Sequence, residues 1–377
     1  SLKKRFADAK VAVIEKEAEP AAHASGRNSG VLHAGFYYTE DSLKAKFSVA
    51  GNRILKSYCK EKGLPINESG KLVVAMNETE LATLCELERR GIKNGANVRL
   101  ISKEEAEEID PNVATFSKAL YSPDTATIDP QAICIKLKED LKRLGVVFFF
   151  SCRYLGYKEK TITTTQGEIG CGKLVNAAGL YADSIAHGLG FGEAYTIIPF
   201  KGLYLKYEKN TTDIRTNIYP VPNLKNPFLG VHFTITVDGH IKIGPTAIPC
   251  FWREQYDRSS RFRVDEMAEI LFWEARLFFS NSFGFRSLAF EEMRKYSRSY
   301  LISLAAQLVK SLDPNGFGRF TKPGIRAQLL NKKNSSLVQD FVVEADDQSV
   351  HILNAVSPAF TCCFPFADYV VDKYVSC

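Results

Sequence analysis

The 377-residue sequence has no C-x-x-C pair, no long apolar run and no tight block of basic residues, and each absence excludes a class of protein. Its nine cysteines are an odd number without metal-ligand spacing, which is typical of reduced thiols in a cytosol-like compartment and excludes a disulfide framework or zinc site. A membrane span needs about 20 apolar residues, and the longest apolar runs here are shorter. The net charge of +6 lacks the clustered Lys and Arg of a nucleic-acid groove, so no nucleic-acid partner is expected.

The length and composition predict a globular protein of two or three domains. Hydrophobic residues make up 45% and charged residues 24% of the chain, which is ample for a buried core. We find no internal repeat and no low-complexity linker. The sequence begins at Ser1, without a methionine, in the polar end of a helix-like segment. That beginning is consistent with numbering that starts inside the natural chain, so no targeting peptide can be read from it.

Alternating strand and helix patterns predict an α/β part of Rossmann type. A β-branched run at 11–14, followed by Glu15, predicts a buried parallel strand, and 146–150 and 173–176 predict two more. An amphipathic helix is expected at 130–144, just before the second of these strands. The order of elements is that of a parallel sheet with crossover helices.

The middle third of the chain predicts an antiparallel sheet. Asn, Gly, Pro and Asp separate its strand candidates, which lie at 202–207, 217–221, 230–236 and 240–243. A helical region is expected at 264–312, further strands at 325–353 and a last helix at 359–375. The predicted fold class is α/β (α+β), with the first domain built from 1–60, 130–190 and 320–377 and the second from 61–129 and 191–319.

A strand that ends in an acid and is followed by a glycine-containing polar loop has the parts of a dinucleotide site. The Glu15 carboxylate can accept hydrogen bonds from ribose hydroxyls, and the glycines at 25–30 let backbone N–H groups approach a phosphate. The usual G-x-G-x-x-G fingerprint is absent from the sequence. An acid after a strand is also an ordinary solvated loop start, so spacing alone leaves both interpretations open.

Several segments carry a resemblance to a known family. They are His-Ala-Ser-Gly-Arg-Asn-Ser-Gly at 23–30 with its continuation to 38, and the segments 42–46, 176–183, 219–222, 227–234, 324–328 and 354–359. In order and spacing the chain resembles the FAD-dependent L-2-hydroxyglutarate dehydrogenases and oxidases, which belong to the D-amino-acid oxidase-like (DAO) flavoprotein superfamily. The resemblance implies a Rossmann-like FAD-binding domain and an antiparallel-sheet substrate domain. It also implies that a strand, a glycine turn and most of a helix precede Ser1.

The resemblance further implies which residues contact FAD. Glu15 resembles the acid that binds the adenosine ribose, with Glu17 as the less favoured neighbour, and Tyr154 falls where a backbone group meets the adenine. The remaining expected contacts are Ser25, Gly26, Arg27, Asn28, Ser29 and Gly30 along the pyrophosphate and ribityl chain, Ala177, Ala178 and Gly179 after a strand, and Ser357, Pro358 and Ala359 at a helix start that faces the flavin.

Oxidation of a 2-hydroxy acid needs a cation for the carboxylate and a base for the hydroxyl proton. Arg326 matches the position at which relatives hold the substrate carboxylate, and a guanidinium binds it bidentately. His33 and His232 are the candidate bases because neutral imidazole accepts protons near neutrality. Lys201 could hold a distal carboxylate and Tyr219 could hydrogen-bond the substrate. For each residue an ion pair, a backbone hydrogen bond or simple packing is the alternative.

The expected reaction is oxidation of L-2-hydroxyglutarate to 2-oxoglutarate, with electrons passing from FAD to a quinone pool or to oxygen. The expected location is cytoplasmic, or mitochondrial in a eukaryote, and the net charge is compatible with peripheral contact with an anionic inner membrane. Two alternatives stay open. One is another DAO-superfamily oxidase, acting on a different 2-hydroxy acid, an amino acid or glycerol 3-phosphate. The other is a non-catalytic remnant that has lost FAD, suggested by the missing fingerprint and by Phe360 beside the flavin-facing loop.

Overall fold

The computed structural model describes residues 1–209, 214–224 and 228–375. Its strands are β1 Ala12–Ile14, β2 Val31–Leu32, β3 Ile66–Asn67, β4 Lys71–Val74, β5 Arg99–Ser102, β6 Lys118–Ser122, β7 Ala126–Ile128, β8 Val147–Phe149, β9 Tyr154–Lys158, β10 Thr161–Thr164, β11 Gly167–Gly170, β12 Leu174–Asn176, β13 Tyr195–Gly202, β14 Leu205–Tyr207, β15 Asn217–Pro220, β16 His232–Ile235, β17 Ile241–Gly244, β18 Ile248–Pro249, β19 Phe317–Phe320, β20 Gly324–Asn331, β21 Ser336–Leu337, β22 Val343–Ala345 and β23 Ser349–Ile352.

The α-helices are α1 Leu2–Arg5, α2 Leu43–Glu61, α3 Glu78–Lys93, α4 Lys103–Ile109, α5 Pro130–Arg143, α6 Ala182–His187, α7 Val264–Ser280, α8 Phe285–Arg294, α9 Arg298–Ala306 and α10 Cys363–Tyr374. Local chemistry sets several of their starts. The Ser42 hydroxyl caps α2, Asp129 caps α5 ahead of Pro130, and Ser102 forms a capping box with Glu105 at α4. Within the described residues, the helices include none that is both long and apolar enough to cross a bilayer.

The largest sheet has eight strands in the order β19-β14-β17-β16-β15-β4-β6-β5. One of its faces packs on α9 in an apolar core that includes Leu72, Ile218, Phe233, Ile243 and Leu301. The antiparallel sheet predicted for the middle of the chain is present, with one difference, because β4 and β15 are parallel. These two strands are far apart in the sequence, so no hairpin forces them to run in opposite directions.

Parallel pairing occurs where the α/β part was predicted, in the pairs β1–β8 and β12–β23. The expectation that β1 and β8 are buried is wrong, since Val13 is 37% and Val147 is 52% exposed. Among the described residues β1 pairs only with β8, and a parallel strand is buried when it has strands on both sides and helices on both faces.

The last helix starts later than the sequence predicts. We expected it from residue 359, but the helix begins at Cys363 and residues 357–362 form turns. Thr361 lies against α2, because a Cβ on Gly51 would be 2.1 Å from the Thr361 carbonyl oxygen. The Thr361 hydroxyl also accepts the His33 N–H at 3.2 Å. These contacts hold the segment as a turn that joins the last helix to His33.

Candidate active site

Glu15 directly follows β1, at the carboxyl end of the strand. Its N–H donates to the Phe149 carbonyl and its carbonyl accepts from Cys152 N–H, both at 2.9 Å. One carboxylate oxygen of Glu15 accepts the N–H of Glu17 at 2.9 Å. Tyr154 is half-buried and begins β9 two residues after Cys152. The structure therefore brings Glu15 and Tyr154, the two residues expected near adenosine, to the same end of the β1–β8 pair.

Glu17 and Glu254 lie with His23 in a cluster whose potential ligand atoms are all within 4.8 Å of one another. Two cations already occupy the space between the carboxylates. Arg261 forms ion pairs with both of them, and Lys16 Nζ is 2.7 Å from Glu254 Oε1. The hydrogen bonds from Arg261 hold the pKa of Glu17 far below its usual range. The cluster is thus a neutralised ion network and not a metal centre, and it leaves Glu15 as the acid available for a ribose.

The loop at 25–30 depends on its two glycines. A Cβ on Gly26 would be 2.0 Å from the Ala21 carbonyl oxygen, and a Cβ on Gly30 would be 2.5 Å from that of Ile128. Gly30 also has a φ of +76°, which a β-carbon disfavours. The Asn28 side chain donates to Ser25 O and accepts Gly30 N–H, both at 2.8 Å. The loop is therefore held by its own residues.

Arg27 belongs to this loop, but its guanidinium is used inside the protein. It donates to the Ala22 carbonyl at 2.7 Å and to the Pro323 carbonyl at 3.2 Å, and its central carbon lies 4.3 Å from the Tyr256 ring centroid. A Cβ on Gly324 would be 2.4 Å from the Arg27 carbonyl oxygen. Arg27 thus fastens the loop to the start of β20.

Small exposed residues follow β12. Ala177, Ala178 and Gly179 are all exposed, although Asn176 at the end of the strand is buried. The Asn176 side chain donates to Ala182 O at 2.8 Å and accepts Ala178 N–H at 3.2 Å, which shapes the turn. Gly179 has a φ of +57° and open space where a Cβ would be.

A buried ion pair secures the same turn. Arg253 and Asp183 are 2% and 0% exposed and form a bidentate pair with distances of 2.6 and 3.0 Å. Arg253 also donates to the Leu180 carbonyl, and Asp183 accepts the N–H groups of Ser184 and Ile197 at 2.8 Å. Each buried charge is therefore paired with the other and has further hydrogen bonds, which offset the cost of burial.

Three predicted FAD-contacting segments thus expose small residues at the ends of strands and in turns: Ser25 and Asn28 in the loop, 177–179 after β12, and Ser357. Such residues allow a flat ligand to approach the backbone, and the residues present fit a bound dinucleotide. Phe360, the bulky residue that suggested obstruction, packs with Leu55, Ile128 and neighbouring apolar side chains. The ring is accommodated in the core.

The second face of the eight-stranded sheet carries polar and aromatic side chains. Lys71 lies opposite Asn217 in the β4–β15 pair. The β15–β16 pairing places Tyr219 beside His232, and Lys242 lies on the next strand, β17. Because side chains alternate along a strand, all of these residues project from the face opposite the apolar core. The loop at 25–30 lies against this face, since Lys242 Nζ donates to Ser29 O at 2.9 Å.

Lys71, Tyr219 and His232 form a stack on that face. The Tyr219 and His232 rings are 3.6 Å apart between centroids with an interplanar angle of 15°, and Lys71 Nζ is 4.0 Å from the Tyr219 centroid. His232 Nδ1 lies 2.8 Å from the Gly230 carbonyl and must donate to it, because a carbonyl only accepts. Burial lowers the pKa of His232 to about 3, so the ring is neutral and its Nε2 is unprotonated.

His33 lies beside β2 in an equally buried position. Burial, and then the positive charges of Lys71, Arg326 and Lys44, lower its pKa well below 6.5. Its Nδ1 atom has no hydrogen-bond partner within the described residues. His33 is therefore a neutral imidazole surrounded by cations. We call these six residues the basic cluster: His33, Lys44, Lys71, His232, Lys242 and Arg326.

Arg326 belongs to the basic cluster, whereas Lys201 does not. Arg326 lies opposite Phe200 across the β13–β20 pair, and its guanidinium carbon is 5.0 Å from the Phe228 ring centroid. Lys201 is the next residue along β13 after Phe200 and therefore projects from the other face, towards Cys250 and Asp257. The structure brings His33, His232, Tyr219 and Arg326 together and leaves Lys201 apart.

Sequence reasoning missed Lys44, Lys71 and Lys242. Lys44 is in the first turn of α2 and Lys71 starts β4, and both side chains are buried. A signal for Lys71 was available, since it begins a strand whose other residues are all apolar. Pro227, the first residue of the segment 227–234 that carries the family resemblance, lies outside the described residues.

The sequence matches the FAD dependent oxidoreductase (DAO) family over residues 1–370. Among curated proteins, it is 33% identical over 368 residues to L-2-hydroxyglutarate dehydrogenase from Indibacter alkaliphilus, with 96% of this chain and 91% of that protein covered. It is 31% identical to the Escherichia coli K12 enzyme of that name (98% and 87% covered) and 33% identical to the mitochondrial enzyme of Mus musculus (96% and 82% covered).

Solved structures show the same fold. L-alpha-glycerophosphate oxidase from Mycoplasma pneumoniae, with FAD bound, superimposes with a TM-score of 0.74 at 23% identity, covering 96% of this chain and 87% of that one. Glycine oxidase from Geobacillus kaustophilus gives a TM-score of 0.67 at 17% identity, covering 99% and 90%.

Proposed function

The chain belongs to the FAD-dependent oxidoreductase (DAO) family, and we propose that it oxidises L-2-hydroxyglutarate to 2-oxoglutarate. The expected family, fold class and FAD cofactor are confirmed. The observation that carries the substrate assignment is the match to L-2-hydroxyglutarate dehydrogenases over 96–98% of the chain. The basic cluster supports it, because buried cations on the sheet face suit an anionic substrate.

FAD, when bound, supplies the acceptor for the hydride that leaves C2 of the hydroxy acid. We propose that Glu15 holds the ribose and that the segments at 25–30, 177–179 and 357–359 line the cofactor. The proposed FAD-binding domain remains 1–60, 130–190 and 320–377, with 61–129 and 191–319 covering the substrate.

In the proposed reaction, Arg326 binds the C1 carboxylate and a neutral histidine takes the hydroxyl proton. His232 offers Nε2 for this proton because Nδ1 already donates to the Gly230 carbonyl. His33 is the other candidate, and its Nδ1 atom, which has no hydrogen-bond partner within 1–209, 214–224 and 228–375, supports it. Loss of the proton and of the C2 hydride leaves the carbonyl of the 2-oxo acid. We propose that Tyr219 hydrogen-bonds the substrate, and its stacking on His232 supports this role.

The test is the absorbance of the bound flavin under anaerobic conditions. We expect the purified protein to release FAD on denaturation and its flavin band to bleach with L-2-hydroxyglutarate but not with the D enantiomer, glycine or glycerol 3-phosphate. Bleaching by another substrate but not by L-2-hydroxyglutarate would identify a different DAO oxidase. Colourless protein that cannot be reconstituted with FAD would identify a non-catalytic remnant.

We propose that the electron acceptor is a quinone or oxygen. We also propose that the protein contacts a membrane, and an exposed aromatic surface supports this contact. Helices α7 and α8, with the short turn between them, expose Phe272, Phe279, Phe283, Phe290 and Met293, with Phe279 82% exposed. Arg276, Arg286 and Arg294 are exposed on the same two helices. Apolar rings beside cations suit the interface of an anionic bilayer.

Vesicle sedimentation tests this surface. We expect the protein to sediment with anionic vesicles at low salt and less at high salt, and a Phe279→Ser, Phe290→Ser double variant to stay in solution. Equal sedimentation of both proteins would contradict the membrane proposal. Oxygen consumption measured against reduction of a soluble quinone separates the two acceptors.

A further inference from the structure

Lys71 has an environment that is unusual for a lysine. Its side chain is fully buried, and its Nζ atom has no hydrogen-bond partner in the part of the chain that the structure describes. Aromatic rings surround the ammonium. Lys71 Nζ lies 4.0 Å from the centroid of the Tyr219 ring, and 5.3 and 5.7 Å from the centroids of the Tyr37 and Phe36 rings. Cation–π contacts with aromatic rings replace only part of the hydration free energy that an ammonium loses on burial. Burial of the Lys71 ammonium therefore destabilises the fold, and the described residues do not provide it with a hydrogen-bond acceptor.

Two other buried polar atoms beside Lys71 also have no hydrogen-bond partner among the residues that the structure describes. They are the Tyr37 hydroxyl, whose ring Lys71 faces, and Nδ1 of His33, whose pKa the charge of Lys71 helps to lower. An ammonium only donates hydrogen bonds and a phenol can donate one, so a ligand with acceptor oxygens would satisfy both groups. The cations of the basic cluster add that it should carry negative charge. A carboxylate meets both requirements.

The position of Lys71 indicates which carboxylate. Lys71 touches Tyr219, which stacks on the candidate base His232, so it lies on the substrate side of the sheet. Arg326 is the residue assigned to the C1 carboxylate, and Lys201 projects from the opposite face of its own sheet. Lys71 is thus available for a second carboxylate.

We propose that Lys71 binds the distal carboxylate of the substrate and so makes the site selective for 2-hydroxydicarboxylates over 2-hydroxymonocarboxylates. The proposal rests on the proposed function, since it assumes a 2-hydroxy acid held by Arg326. It differs from two other roles that a buried lysine can have. A catalytic base would act on every 2-hydroxy acid alike, and a structural lysine would affect neither binding nor selectivity.

The experiment compares L-2-hydroxyglutarate with L-2-hydroxyvalerate, which has the same five-carbon chain without the distal carboxylate. In the Lys71→Met holoenzyme we expect kcat/KM for L-2-hydroxyglutarate to fall about 100-fold, chiefly through KM, because a charge-assisted hydrogen bond is lost. The value for L-2-hydroxyvalerate should change by less than about threefold. Lys118→Met, which removes an exposed lysine from the neighbouring strand β6, is the matched control and should behave as the unmodified enzyme.

Binding of glutarate, which cannot be oxidised at C2, provides a readout without turnover. Calorimetry should show a Kd about 100-fold weaker in Lys71→Met than in the unmodified and Lys118→Met holoenzymes. Unchanged glutarate binding, or an equal loss of kcat/KM for both hydroxy acids, would overturn the proposal. If the unmodified enzyme binds glutarate through Lys71 but does not oxidise L-2-hydroxyglutarate, the proposed function fails while the dicarboxylate site stands.

Discussion

Replacing Lys71 by methionine should stabilise the folded protein, although Lys71 is buried. Burial lowers the pKa of Lys71 from 10.5 to about 7. A lysine whose pKa is lower in the folded than in the unfolded state destabilises the fold once pH falls below the unfolded value. This cost is absent above pH 10.5, grows as pH falls and is constant below about pH 7. At 1.36 kcal/mol per pKa unit it reaches about 3 kcal/mol at pH 8 and about 5 kcal/mol at pH 7 and below.

The measurement is the apparent melting temperature of the ligand-free holoenzyme as a function of pH, read from tryptophan fluorescence. For a chain of this length the entropy of unfolding is about 0.8 kcal/mol per kelvin, so Lys71→Met should raise Tm by about 4 °C at pH 8. The gain should be larger at pH 7 and almost vanish near pH 10. Lys118→Met should leave Tm unchanged at every pH. A Lys71→Met protein that melts at or below the unmodified Tm at pH 7, or a gain that does not vary with pH, would refute the reasoning.

Three further outcomes are expected. Arg253→Met should destabilise the protein by about 3–5 kcal/mol, measured by urea unfolding, because it leaves a buried carboxylate without its bidentate partner; a loss below 1 kcal/mol would contradict this. In Lys71→Met, which lacks the lysine whose own pKa is about 7, the kcat/KM profile should show no inflection near pH 6.5, because burial lowers the pKa values of both His33 and His232; an inflection there that disappears on adding His232→Gln would show an ordinary titrating histidine. Glu15→Gln should weaken FAD binding to the apoprotein about tenfold in a fluorescence titration, while Glu19→Gln, at an exposed position, should bind FAD normally.

Local patterns in the sequence were sufficient to predict most helices and strands. The strand expected at 240–243 is found as Ile241–Gly244, and the helix expected at 130–144 is found as Pro130–Arg143. The errors concern contacts between distant segments. Burial of β1 depends on its neighbours in the sheet, and the late start of α10 depends on how Thr361 contacts α2 and His33. The proposed domain boundaries stay a prediction.

Site residues could be predicted from the sequence where the residue type itself indicates a chemical role. His33, His232, Tyr219 and Arg326 were selected by chemical type and resemblance, and the structure places them together, although their functional roles stay predictions. A lysine in the sequence does not indicate a role in a buried site, because most lysines are solvated surface residues. Only pairing register and sheet face show that one lysine is buried beside Tyr219 and that Lys201 is not.

Two buried charges of this fold, Arg253 and Lys71, differ in how their surroundings satisfy them, and the contrast supports a ligand beside Lys71. Beside the predicted FAD-contacting turn, Arg253 has a bidentate partner in Asp183 and also donates to the Leu180 carbonyl, as expected for a charge that stabilises the fold. On the sheet face, Lys71 is buried, and its Nζ atom has no hydrogen-bond partner in the described ranges of the chain. Folding alone would favour an apolar residue at Lys71, so the chain retains a destabilising group there. A group of that kind persists when something outside the fold satisfies it, and an anionic substrate beside Tyr219 and His232 would do so.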